Sequence, residues 1–157
     1  MMATLEDALS YILQKQLKRL NGISPNKLIR ILYLADWRSS INTGHPITNV
    51  NWKIVDSEPQ LDKGSIERIV DFIERNGRTI NLGISETYRK VFSEGLSMGD
   101  KSILDFVLNL SASQSEDALA HLVYSTYPSI TQNSDDAIDL PKLAKQYEAL
   151  QPILKAG

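Results

Sequence analysis

The chain of 157 residues has no cysteine. Disulfides and thiolate-bound metals are therefore excluded, and a reducing compartment, the cytoplasm, is the expected home. Histidine is almost as scarce. The two present, His45 and His121, lie far apart, with no His-x-x-x-His pair and no compact cluster of histidine and carboxylate, so neither a metal nor another cofactor is expected. No Gly-x-Ser-x-Gly elbow occurs, and the usual thiol nucleophile is absent with cysteine. Apolar runs such as Ile31 to Ala35 are far too short to span a bilayer. The opening MMATLEDA is acidic and leads into no uninterrupted apolar stretch, which argues against a secretory signal or an Arg-rich transit peptide. A net charge of −2 gives no whole-molecule attraction to nucleic acid or to anionic membrane.

What is present is an ordinary globular mixture, 42% hydrophobic and 23% charged. The length fits one domain, taken as residues 1–157, and a chain of this size buries roughly 70% of its unfolded surface without needing staples. Helical spacing dominates. Leu5, Ala8, Leu9, Ile12, Leu13, Leu17 and Leu20 form one stripe behind a Thr4 cap, predicting a helix from Thr4 to Leu20 with Asn21-Gly22 as its stop. Ser24-Pro25 starts a second helix running to about Ser40, apolar on nearly every side between Leu28 and Trp37 and hence central and buried. Asp36 inside it requires a partner, because an unpaired buried carboxylate is costly.

Beyond the Asn42 to Pro46 loop, Pro46 to Val55 alternates as one short strand or a pair, and Ser57 to Asp62, with Pro59, reads as a turn. Lys63 to Arg75 is helical, with Ile66, Ile69, Val70 and Ile73 on one stripe and Asn76-Gly77 at its end. Arg78 to Leu82 reads as a strand able to pair near Trp52, and Ser85 as the cap of a short helix to about Glu94. Asp100 is expected to cap the next helix, which covers most faces with Ile103, Leu104, Phe106, Val107, Leu108 and Leu110. Ser115-Glu116-Asp117 opens another, ending near Tyr127-Pro128, before a polar loop from Ser129 to Asp136. Pro141 opens the last, with Leu143, Ala144, Tyr147, Leu150 and Leu154 on one face. The fold class is α+β, predominantly helical: a compact domain of about six to seven helices with a small two- or three-stranded sheet.

Chemistry is harder to find. Gly95 to Ser102 has the outline of a phosphate loop, but Asp100 separates the glycine from Lys101 and would repel a phosphate. The carboxylates Asp135, Asp136 and Asp139 sit in a polar loop with nothing apolar to raise a pKa. Charge is uneven. Residues 1–40 hold six basic and three acidic side chains, residues 56–75 six acidic and three basic, and residues 113–139 five acidic and no Lys or Arg. This suits either solvated helix faces or an acidic surface that steers a basic protein partner. Lys15, Lys18 and Arg19 form only a modest basic patch, so nucleic-acid regulation is the weaker reading. Tyr11, Trp52, Tyr88 and Tyr124 are the aromatics hardest to place inward, and exposed Tyr and Trp suit interface anchors. An enzyme remains as an alternative only if Asp36, His45 and Trp52 converge.

The segment Lys27-Leu28-Ile29-Arg30-Ile31-Leu32-Tyr33-Leu34-Ala35-Asp36-Trp37 resembles the signature helix of the Panacea antitoxin domain, the SocA-like phage-associated family. Gly44-His45-Pro46-Ile47-Thr48 is similar to the glycine turn and G-x-P-I-T stretch that follow it there, and Trp52 to its strand residue. Ser115 through Leu119, Leu122, Val123, Thr126, Tyr127 and Pro128 resembles its later helix closing at T-x-P. Order and spacing agree over roughly residues 5–150. The chain departs at Ser57-Glu58-Pro59-Gln60, where many members carry Gly-Pro-hydrophobic. The resemblance implies a stand-alone domain, not an enzyme, that binds and neutralises a toxin encoded nearby, with one branch presenting a toxin to a protease. It brings no catalytic residues. Tyr33, Trp37, His45 and Trp52 are the expected partner contacts, and a second copy of the chain is a further candidate partner.

Overall fold

The computed structural model describes residues 3–15, 24–81 and 95–156, with side chains described over 3–15, 24–75 and 95–150. Among these residues the chain forms seven helices and one two-stranded antiparallel sheet, an α+β fold that is mostly helical.

Helix α1 (Leu5–Lys15) is capped reciprocally: Asp7 N–H donates to Thr4 Oγ1 at 3.1 Å and Thr4 N–H to Asp7 Oδ2 at 2.9 Å. Such a pair satisfies two amides that a helix start leaves open. Leu17 and Leu20 of the predicted stripe, with the Asn21-Gly22 stop, lie outside the described residues.

Helix α2 (Pro25–Thr43) starts where its sequence directs. The Ser24 hydroxyl accepts from Lys27 N–H at 3.1 Å, Pro25 needs no donor in the first turn, and Gly44 closes the helix at φ 84°. It is buried on nearly all sides, from Leu28 through Ser40, and packs against α4 (Met98–Ala112), α5 (Glu116–Tyr124) and α7 (Leu140–Ala156). Its lack of a polar face therefore reflects a central position.

Strands β1 (Trp52–Val55) and β2 (Glu58–Leu61) form a two-residue hairpin with Val55 opposite Glu58 and Ile54 opposite Pro59. Glu58 to Leu61 was expected as a turn. Pro59 is accommodated because alternate antiparallel pairs exchange no hydrogen bonds, so its missing N–H is not needed there. The tip residues Asp56 and Ser57 both have positive φ, 51° and 68°, as a turn matching strand twist demands. The other edge of β1 is covered by residues 133–138, which lie along it as a strap. Ser134 N–H donates to Ile54 O at 2.9 Å and Ile138 N–H to Trp52 O at 2.8 Å.

Helix α3 (Lys63–Asn81) runs through Asn76-Gly77, the expected stop, and through the first four residues of the strand expected at Arg78 to Leu82. An isolated glycine costs a helix only about 1 kcal/mol, which neighbouring turns can carry. Leu82 and the helix expected from Ser85 to Glu94, Tyr88 included, lie outside the described residues. On α3, Ile69 and Phe72 face inward, while Ile66 and Val70 are exposed. The Glu6–Arg68 ion pair joins α1 to α3, and the Tyr11 hydroxyl donates to Asp105 of α4 at 2.8 Å.

Three further expectations are corrected. The cap of α4 is Ser97, with Asp100 three residues on completing the reciprocal pair. Tyr127–Thr131 forms a short helix, α6, with Pro128 in its first turn, where a polar loop was expected. Phe106 and Leu150 are exposed; the Phe106 ring lies under the Arg38 guanidinium, 3.6 Å from its centroid, so a cation covers the face that burial would have covered. No described helix is long and apolar enough to cross a membrane.

Candidate functional site

Two features could carry function: a polar centre beneath the hairpin, and an acidic edge beside it.

The polar centre is built on Asp36, which α2 places wholly inside the protein. Oδ1 accepts from the backbone N–H groups of Ile47 and Thr48, each at 2.9 Å. Oδ2 accepts from the Thr48 hydroxyl at 2.6 Å and the Trp52 indole N–H at 2.8 Å. Four neutral donors thus surround one carboxylate. Burial pushes its pKa up to about 6 against the opposing pull of these bonds, and no charged group contributes.

The sequence delivers these donors by shape. After α2 ends at Gly44, the Ser39 and Thr43 hydroxyls hold the carbonyl of His45 at 2.7 and 3.1 Å. The chain then turns back under Asp36 and enters β1 at Trp52. The Tyr33 ring packs edge-on against Trp52 at 5.5 Å, and its hydroxyl meets Thr126 Oγ1 at 2.7 Å. Burial raises Tyr33 to about 12.

The four expected partner contacts divide. Tyr33, Trp37 and Trp52 are interior groups, 0%, 6% and 2% exposed. Trp37 packs against Tyr147, which also packs against Tyr127. A partner could reach these rings only by opening the fold. His45 is exposed. Of the enzyme alternative, Asp36 and Trp52 do meet, but the His45 ring is exposed and only its main chain is held, by Ser39 and Thr43, and both Asp36 oxygens are fully occupied by donors. Of the basic patch, Lys15 lies beside the Tyr11 ring, while Lys18 and Arg19 fall outside the described residues. Tyr11, like Trp52, proves buried, whereas Tyr124 is at the surface.

The acidic edge arises because the fold joins the two acid-rich windows. The strap lies beside the hairpin, with Asp56 N–H donating to Asn133 Oδ1 at 3.2 Å and Lys53 pairing with Asp135 at 3.4 Å. On the other side Glu58 pairs with Arg30 at 3.4 Å and holds the Tyr124 hydroxyl of α5 above its usual pKa. Lys53 and Arg30 are thus engaged, and Asp56 and Asp136 stand exposed with no cation in contact among the described residues. Ile130, 70% exposed, sits on α6 just before the strap. The acid-rich windows were legible in the sequence; that they meet was not, because a hairpin and a segment some 80 residues on must pair to join them.

No family model, curated protein or solved structure matches the chain.

Proposed function

We propose that this chain is a protein-binding module of the antitoxin kind, acting in the cytoplasm without catalysing a reaction, and neutralising a partner toxin encoded nearby by direct contact. The observation that carries this reading is the acidic edge. Asp56 and Asp136 stand exposed with no cation in contact among the described residues, where the hairpin meets the strap; Tyr124 lies against Glu58 of the same hairpin, and the exposed Ile130 precedes the strap by three residues. The negative field of these acids speeds encounter with a basic partner, and the apolar and aromatic groups suit the contact that follows. The Lys27 to Trp37 helix and the Gly44 to Thr48 turn, which resemble the antitoxin family, add support of a different kind: they build the interior on which this edge is mounted. Delivery of the bound toxin to a protease is a further form that the same binding can take.

The test is co-expression with the product of the adjacent open reading frame, followed by co-purification. Growth arrest by that product alone, relieved by this chain, with the two recovered as a complex, supports the reading. A product that is harmless alone, or that stays toxic when this chain is present, overturns it.

A further inference from the structure

The Asp36 centre stands apart from the acidic edge, and the proposed binding function does not use it. A carboxylate wholly removed from water and given no cation is an expensive anion. Most such groups lower their cost by taking up a proton, provided the proton has an acceptor. Three of the four partners here cannot supply one: the amides of Ile47 and Thr48 and the indole of Trp52 only donate. The Thr48 hydroxyl can do either. At 2.6 Å from Oδ2 it is placed to reverse the bond, accepting from a protonated Asp36 while its own hydrogen rotates away from the carboxyl and the other three bonds persist.

These groups also set what the proton controls. Ile47, Thr48 and Trp52 lie in the turn and first strand of a unit, residues 46–61, that meets α2 at this carboxylate as well as through the Arg30–Glu58 ion pair and the Tyr33–Trp52 ring contact. We infer that Asp36 and Thr48 form a buried proton-binding pair, and that proton uptake tightens the hold of α2 on the turn and hairpin.

The direction follows from where the proton is better bound. In the closed form burial raises the Asp36 pKa from 3.8 to about 6; in an opened form water restores the ordinary value. The closed form therefore gains on the open one as pH falls through 6, and gains no more below 3.8. Between pH 8 and pH 5 the gain is about tenfold in the closing constant. The charged and titratable groups of the surrounding elements are paired with other groups or lie toward the surface. On α2, Arg30 pairs with Glu58 of β2, Arg38 covers Phe106, and the Tyr33 hydroxyl meets Thr126. His45 of the turn is exposed, and Lys53 of β1 pairs with Asp135 of the strap. On α4, Asp100 completes the Ser97 cap, Lys101 is half-buried and Asp105 accepts from Tyr11. Glu116, Asp117, His121 and Tyr124 of α5 are exposed; Tyr127 of α6 bonds Gln146 and packs on Tyr147 of α7. Lys142, Lys145 and Glu148 of α7 are exposed.

The experiment uses the unmodified chain. The carboxyl carbon of Asp36 is followed by NMR from pH 3.5 to 8, and amide exchange at Ile47, Thr48 and Ile54 is measured at pH 5 and pH 8 with intrinsic rates divided out. A midpoint near 6, with protection about tenfold higher at pH 5, is the expected result. A midpoint at or below 4 overturns the proposal. So does a near-neutral midpoint accompanied by less than a twofold change in protection, since proton uptake would then leave the hairpin untouched.

Discussion

The Trp52 indole N–H donates to Oδ2 of Asp36 at 2.8 Å, joining the first residue of β1 to the middle of the central helix α2. Asp36→Ala strands four buried donors that have no other partner among the described residues: the Ile47 and Thr48 amides, the Thr48 hydroxyl and this indole. Each stranded donor costs about 1–3 kcal/mol, so the variant is expected to lose about 4 kcal/mol or more, a large part of the stability of a domain. Trp52→Phe removes one donor and some ring volume, at about 2–3 kcal/mol. Because the two residues share one bond, the double variant should lose less than the sum. Urea denaturation followed by far-ultraviolet circular dichroism reads all three, and strict additivity would show that the bond contributes nothing to the hairpin.

Gly95 lies against the carboxylate of Asp7, and a methyl group added at residue 95 would fall on that carboxylate. A side-chain tip can swing away, but Asp7 would then surrender its part in the Thr4 cap. Gly95→Ala is therefore expected to cost about 1 kcal/mol, the usual worth of a cap. In an Asp7→Ala background the same change should cost almost nothing. Thermal melts of the two single variants and the double variant decide it; an equal loss in both backgrounds would place the conflict elsewhere than the cap.

The hairpin tip holds two residues with side chains, Asp56 and Ser57, in the left-handed region. That conformation is costly for any residue with a Cβ and is released by glycine or eased by asparagine. Asp56→Asn with Ser57→Gly is expected to stabilise the protein by about 1 kcal/mol, with the main-chain bond from residue 56 to Asn133 retained. An unchanged or lowered melting temperature would refute it.

How far the sequence carried the fold depends on whether a feature was local. Helix α2 was legible at its start, because Ser24 and Pro25 act within a turn of the residues they cap; its end, expected near Ser40, lies at Thr43 with Gly44 as the cap. That Asp36 needs a partner was legible from its position among apolar neighbours; that Ile47, Thr48 and Trp52 supply it was not, since the return of the turn depends on tertiary packing. The hairpin was half seen. Pro59 signals a turn when read alone, and only its pairing with Ile54 shows that its N–H is not needed. Amphipathic spacing set the inward face of α3 one step off, because Ile66 and Val70 lie beside Ile69 on the helix surface and the sequence cannot say how wide a stripe its neighbours will cover. Trp52 was read as an interface anchor because a strand residue's face depends on register, which is settled only by β2 and the strap.

The proposed binding function makes a demand on Asp56 and Asp136, the two exposed acids of the edge without a cation in contact. Reversing both to lysine replaces two negative charges with two positive ones, a shift of four units, while disturbing no ion pair among the described residues, so fold stability should move by no more than about 0.5 kcal/mol. If the edge steers a basic toxin, association with the product of the adjacent gene should slow by about tenfold at low ionic strength, and the difference should shrink as salt screens the field. Ile130→Ser should act on the other limb, speeding dissociation with little effect on association, because an exposed side chain buried on contact holds the complex and does not guide it. Surface plasmon resonance at two salt concentrations separates these effects. An association rate and salt dependence unchanged by the double reversal would remove this edge from the interface, even if the complex itself forms.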